Sequence, residues 1–440
     1  MEIVEPLSAI KKYLIADGFD MIIDLEASHG SWLHDRKTGK EYLDFFSFYA
    51  AAPVGMNHPD AVSDQEFLKD LQLSALNKVS NSDFYTMQYE RFVETFARVA
   101  IPPEFKHAFF VSGGTLAVEN ALKAAFDWKV RTNFAHGMKE ELGSQVLHFK
   151  DAFHGRSGYT LSLTNTADPR KYMYFPRFNW PRVTNPRMTF PIEDHLDEVK
   201  TLEQQSLEEI HTAFRERKDD IAAILIEPIQ GEGGDNHFRE EFLQELRKIA
   251  NEEETMLIFD EVQTGIGMTG KMWAYQHYKD VVPDMIAFGK KMQTCGFIST
   301  DRIDSVEKNV FHEKSRINST WGGNLTDMVR ATKFLEIIEK HGLVKNAEEN
   351  GRYMMNLLQS TADESSGMMT NIRGKGLFIA FDLPNTEVRD KVKKGLYNEG
   401  VMVLSCGKQS IRFRPPLNVS KEEIEIGLNR LTSVLNQNKN

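Results

Sequence analysis

Between residues 65 and 330 short apolar runs alternate with helical patterns, and this alternation constrains the fold more than any other feature of the chain. "HAFFVS" precedes "TLAVENALKAAFDWKV", "AAILIEPI" precedes "REEFLQELRKIANEE", and "MLIFDEV" follows directly. The pattern predicts an α/β fold with a mostly parallel central sheet covered by helices. In such sheets ligands sit at the carboxyl ends of the strands.

After "STWGGN" the pattern changes to a long helical stretch, "MVRATKFLEIIEKHGLVKNAEENGRYMMNLLQS", then "GKGLFIAFDLP", a helix at 386–399, "VMVLSC", "SIRFRPPL" and a last helix. That reads as a smaller α+β unit. The N-terminal stretch, with "GSWLHDRKTGKEYLDFF" resembling a hairpin, is expected to join it. The expected division is therefore 1–64 and 331–440 for the small domain, with 65–330 as the large one. A chain of 440 residues suits this, at roughly 100–200 residues per domain.

The formal net charge of −11 works against broad binding to phosphate backbones or anionic lipids, so nucleic acid is not an expected partner. The two cysteines, Cys295 and Cys406, lie far apart and suggest neither a disulfide framework nor a paired metal site; no metal is expected. The N-terminus mixes acids into its first turns, and no later stretch reaches about 18 uninterrupted apolar residues. A cytoplasmic location away from membranes is the expectation.

Several motifs could carry chemistry. "MLIFDEVQTG" is an apolar strand ending in Asp260 and Glu261, where a carboxylate can bind Mg²⁺ or hold a cationic ring nitrogen. Downstream, "GIGMTGKM" at 265–272 has the spacing of a phosphate-binding loop and also fits G-x-G-x-x-G. Met272 stands where a hydroxyl should meet the metal, and a thioether is a poor Mg²⁺ ligand. The dinucleotide reading lacks an acid about 20 residues on at the end of a clear next strand, since Asp280 and Asp284 fall earlier. A glycine-rich turn without a ligand accounts better for these glycines.

"AFGKKMQTCG", 287–296, sets two lysines just after an apolar run. A lysine there can reach across the sheet's carboxyl edge and form a Schiff base with an aldehyde cofactor. Pyridoxal phosphate needs three further supports. Asp260 could keep its ring nitrogen protonated. The helix start in "SGGTLAVENALK", with Gly113, Gly114 and Thr115, could bind its phosphate. Phe153 in "DAFHGRSGYT" could stack on the ring.

Together these residues resemble the class III pyridoxal-phosphate-dependent aminotransferases of fold type I. The resemblance covers nearly the whole chain and rests on seven separated motifs in the family's order: "SGGTLAVENALKAA", "AFHGRSGYTLSLTNT", "EPIQGEGG", "LIFDEVQTGIGMTG", "PDMIAFGKK", "STWGGN" and "RFRPPL". The family places the cofactor lysine directly after a glycine, which selects Lys290 over Lys291. By the same matching, Asp260 holds the pyridine nitrogen, Gln263 the ring hydroxyl, and Gly114, Thr115 and a neighbouring subunit's Thr320 the phosphate. The resemblance thus implies a homodimer with shared active sites.

"GKKMQTCG" and "WGGNLTD" depart from the broad family, and with "YFPRFNWPR" and "FFSFYAAAPVGMNHPD" they are similar to a subgroup acting at the ε-amine of L-lysine. The implied acceptor is 2-oxoglutarate, in a ping-pong reaction yielding 2-aminoadipate 6-semialdehyde and L-glutamate. A rival is another ω-aminotransferase of the family, acting on ornithine, acetylornithine or 4-aminobutyrate. Because lysine and 2-oxoglutarate differ in charge, one pocket must change its charge. Arg156 is the candidate for the carboxylate far from the reacting carbon and Arg412 for the near carboxylate of the keto acid. Glu232, between glycines, could pair with Arg412 and swing away. Cys295 reads as packing.

Overall fold

The computed structural model describes residues 6–365 and 367–438. Its centre is a seven-stranded sheet, numbered here β1 Phe105–Val111, β2 Gln145–Phe149, β3 Arg182–Val183, β4 Ile221–Ile226, β5 Met256–Asp260, β6 Met285–Phe288 and β7 Cys295–Thr300. The spatial order is β1-β7-β6-β5-β4-β2-β3. β6, β5, β4, β2 and β3 pair in parallel, and β7 alone runs antiparallel to its neighbours β6 and β1. The sheet is mostly parallel, as the alternation predicts.

The residue types explain this. Ile221–Ile226 and Met256–Asp260 are buried along their whole length, the signature of strands covered on both faces. One covering element is the 22-residue helix α1, Gly114–Ala135, which packs against β7, β4 and β6. Because β7 reverses between β1 and β6, β1 regains the direction of the parallel strands. The ends of β1, β2, β4, β5 and β6 therefore open onto one edge of the sheet.

Four antiparallel strands, Thr370–Lys375, Phe378–Asp382, Ser410–Phe413 and Leu404–Cys406, form a second sheet. The N-terminal hairpin Trp32–His34 and Glu41–Asp44 pairs in parallel with Val401–Met402, so both ends of the chain contribute to a third. The helical stretch after "STWGGN" is two helices rather than one, Leu325–Lys340 and Leu343–Glu364. Gly342 at φ +60° separates them, a left-handed position that glycine adopts without a Cβ penalty.

The 265–272 turn has a packing role. A Cβ on Gly265 would lie 2.7 Å from the Trp273 ring, and one on Gly270, at φ +84°, 2.9 Å from Glu348. Only a four-residue 3-10 turn, Ala274–His277, follows the glycines in place of the α-helix that a phosphate-binding loop requires, so the nucleotide readings lose their structural context.

Candidate active site

The strand ends enclose a cavity of about 220 Å³. Seven of the expected residues line it: Gly114, Thr115, Phe153, Glu232, Asp260, Gln263 and Lys290. Arg412 is buried behind them and reaches the wall through Glu232 and Gln263. Arg156 and Thr320 are exposed and do not line the cavity. Arg156 follows Gly155, itself part of the wall, and Thr320 sits in a loop whose carbonyl accepts from Ser80 Oγ at 2.6 Å.

Lys290 follows β6 through Gly289. A Cβ at Gly289 would lie 2.9 Å from Cys295 Sγ, so the close approach of the two strands excludes a larger residue. Burial, reinforced by the nearby Arg412 charge and opposed by Asp260, pulls the Lys290 ammonium down to about 8. An amine so tuned is partly neutral, and therefore nucleophilic, near physiological pH.

Lys291 turns the other way. It is 3% exposed, and its Nζ donates to the backbone oxygens of Gln263 at 2.7 Å and Ala50 at 3.3 Å. Of the two lysines, one opens onto the cavity and the other is structural rather than solvated. The Ala50 carbonyl ends a run, Ser47–Ala50, in which all four residues have φ between 40° and 65°. Left-handed backbone costs non-glycine residues roughly 1–2 kcal/mol each. Lys291 supports this turn from one side. From the other, Asp44 Oδ1 accepts from Phe46 N at 2.9 Å and Ser47 N at 2.7 Å.

Asp260 closes β5. Its Oδ1 accepts from Val262 N at 3.1 Å and its Oδ2 lies 2.8 Å from His154 Nδ1. A carboxylate is an acceptor, which assigns the proton to Nδ1 and orients both groups. His154 stands in "DAFHGRSGYT", where the sequence marks only Phe153 and Arg156 as site candidates. Glu227, the first residue of "EPIQGEGG", carries no such mark either. It accepts from Phe153 N and Gly231 N, both at 2.9 Å, and burial pushes its carboxyl up to about 7.

Arg412 lies in the strand Ser410–Phe413 and Arg414 directly follows it, two residues apart in the chain. Arg414 Nη2 lies 2.7 Å from Asp235 Oδ1, both side chains being 1% exposed, and its guanidinium stacks 3.3 Å from the Phe378 ring centroid. Arg412 Nη2 instead meets Glu232 Oε2 at 2.7 Å. Burial opposes ionisation of Glu232, but Arg412 and Lys171 outweigh it and hold the carboxyl below its ordinary value. Both arginines also donate to Gln263 Oε1, at 3.3 and 3.1 Å, fixing that amide at the cavity.

The family model described as aminotransferase class-III matches residues 15–435. The chain belongs to the class III aminotransferases. It is 51% identical over 422 residues to the L-lysine-epsilon aminotransferase of Mycobacterium tuberculosis, covering 96% of this chain and 93% of that one. With the enzyme of the same name from Amycolatopsis lactamdurans the identity is 48% over 430 residues, covering 97% and 94%. The 4-aminobutyrate aminotransferase of Sus scrofa mitochondria is 31% identical, covering 99% and 88%. The solved lysine aminotransferase from M. tuberculosis in the internal aldimine form superposes with a TM-score of 0.96 at 50% identity, covering 98% of both chains.

This aminotransferase uses pyridoxal 5′-phosphate, and the residues present fit that group. The first turn of α1 carries no acidic side chain, leaving its N–H groups to an anion. Gly113, at φ +115°, has open space where a Cβ would stand. A buried carboxylate, an aromatic ring and a lysine of lowered pKa meet at the same cavity.

Proposed function

We propose that this aminotransferase is an L-lysine 6-transaminase, moving the ε-amino group of L-lysine to 2-oxoglutarate and releasing 2-aminoadipate 6-semialdehyde and L-glutamate. The observation that carries the reading is the Glu232–Arg412 ion pair at the cavity wall. An arginine with a removable counter-ion suits a site that accepts an amine lacking a near carboxylate and then a keto acid bearing one. The names of the relatives at 47–51% identity support the same donor.

Lys290 would hold the cofactor covalently, with Asp260 at its ring nitrogen, Gln263 at its ring hydroxyl, Phe153 on its face, and Gly114 and Thr115 at its phosphate. Bound there, the group supplies an electron sink beside the reacting carbon. Lys290 Nζ takes a proton from that carbon and delivers it again, acting as base and then acid. Asp260, oriented by His154, keeps a negative charge beside the ring nitrogen. Arg156 binds the carboxylate far from the reacting carbon, while Arg412 and Glu232 sort the near end.

Thr320 lies outside its own chain's cavity and would complete the phosphate site of the partner subunit, making the enzyme a homodimer. Residues 65–330 would form the cofactor-binding domain, with 1–64 and 331–440 forming the smaller domain that brings Arg412. Among the described residues no helix is long and apolar enough to cross a membrane, and both cysteines are buried and unpaired. Those features accord with work in the cytoplasm.

A single-turnover absorbance scan with lysine, ornithine and 4-aminobutyrate, each without keto acid, tests the reading. Lysine should bleach the visible cofactor band fastest, and 2-oxoglutarate should restore it. A faster response to another amine would overturn the donor while leaving the family chemistry intact.

A further inference from the structure

Arg412 is one of two cations that hold Glu232. Glu232 Oε2 meets Arg412 Nη2 at 2.7 Å, and its Oε1 meets Lys171 Nζ at 2.5 Å. Lys171 ends the short turn Pro169–Lys171, capped by Asp168, whose carboxylate also takes the Arg170 guanidinium at 2.8 Å. Of two adjacent cations, Arg170 therefore points to solvent with a side chain 79% exposed, whereas Lys171, 14% exposed, points inward. Its ammonium lies 5.7 Å from the Phe153 ring centroid, against the cavity wall.

The backbone at Glu232 is fixed. Gly407 N donates to its carbonyl at 3.0 Å. A Cβ on Gly231 would lie 2.4 Å from Gln263 Oε1, and one on Gly233 would lie 2.1 Å from the Asp151 carbonyl oxygen. These glycines serve close approach rather than freedom of motion, so the carboxylate can leave Arg412 only by rotating its own side chain. A carboxylate largely removed from water is costly without a counter-ion. Lys171 already meets the carboxylate oxygen that Arg412 does not hold.

We propose that Lys171 is a positioning residue that holds one oxygen of Glu232 throughout turnover, while Arg412 exchanges the other for the near carboxylate of the keto acid. The inference rests on the substrate reading above. With the keto acid bound, Glu232–Lys171 and Arg412–carboxylate form two charge-matched pairs. With lysine bound, Arg412, Glu232 and Lys171 stay as they are. Lys171 thus acts selectively on the dicarboxylate half of the reaction.

The test compares Lys171→Met and Lys171→Arg holoenzymes in single-turnover half-reactions with lysine and with glutamate. Calorimetry with glutarate, a five-carbon dicarboxylate with no reacting group, adds a readout independent of turnover. Lys171→Met should raise the glutarate Kd and the half-saturating glutamate concentration about tenfold, leaving the lysine half-reaction within about twofold. Lys171→Arg should recover most of the loss. In a Glu232→Gln background, where no charge needs holding, Lys171→Met should change glutarate binding by less than about twofold. Equal losses with lysine and glutamate would overturn the proposal. So would a loss that persists in the Glu232→Gln background, because Lys171 would then bind the ligand itself. The unaltered enzyme's response to lysine decides the substrate reading separately, since the glutarate measurement does not depend on the amino donor.

Discussion

His154 Nδ1 lies 2.8 Å from Asp260 Oδ2, and the imidazole is fully buried, with no partner for its Nε2 among the described residues. The pair fixes the direction of the carboxylate at the end of the central strand. If Asp260 holds the cofactor's ring nitrogen, His154 controls how well it does so without touching substrate.

His154→Phe should therefore weaken cofactor binding and lower kcat/KM by about 10- to 100-fold, with the KM for lysine little changed. Asp260→Asn should cost more, about 10³-fold, because the charge itself is removed. Fluorescence titration of apoenzyme with pyridoxal phosphate, beside steady-state kinetics, separates the two. Equal KM and kcat effects in His154→Phe would point to a general packing role instead.

The lowered pKa of Lys290 gives a pH signature. Below about 8 the neutral fraction of its amine rises about tenfold per pH unit, and above that it levels off, in place of climbing toward the ordinary 10.5. Capture of added pyridoxal phosphate by apoenzyme, followed as growth of the visible band, should show that plateau. Burial is the larger cause and Arg412 the next. Arg412→Leu removes a like charge, so the midpoint should move up and capture at pH 7 should slow. A midpoint unmoved by that change would show that burial acts alone.

The two lysines should separate cleanly. Lys291→Met leaves the backbone oxygens of Gln263 and Ala50 without their donor, at a cost of about 1–3 kcal/mol. Its thermal unfolding midpoint should fall while borohydride still traps the cofactor on the protein. Lys290→Ala should do the reverse, keeping its stability and losing the trapped adduct. Trapping on Lys291 in the unaltered protein, found by peptide mapping, would contradict this division.

The strand ends were legible because buried parallel strands read as unbroken apolar runs, so Asp260 and Lys290 announced their places at the carboxyl edge. The supports around them were not. Arg412 and Arg414 stand two residues apart at the end of one strand, and nothing local reveals that Asp235, 179 residues from Arg414, engages the second and leaves the first for Glu232. Lys171 stands beside an equally basic Arg170, and only the Asp168 cap turns one outward. The glycines at 265–272 imitate a phosphate loop because close packing and phosphate contact both demand a missing side chain.

Thr320 bears on assembly. It is exposed and lies outside its own chain's cavity, so the phosphate-binding part proposed for it would require a second subunit. Thr320→Asp would set a negative charge against the phosphate and should abolish activity, as should Lys290→Ala. Mixing the two inactive chains, then refolding or co-expressing them, distinguishes the arrangements. If Thr320 serves the partner's site, a hybrid dimer holds one site with an intact Lys290 and an intact Thr320, and one site lacking both. Random pairing makes half of the dimers hybrid, so about a quarter of the unaltered activity per site should return. If Thr320 serves its own chain, every site carries one defect and no activity returns, which would remove the case for a shared active site.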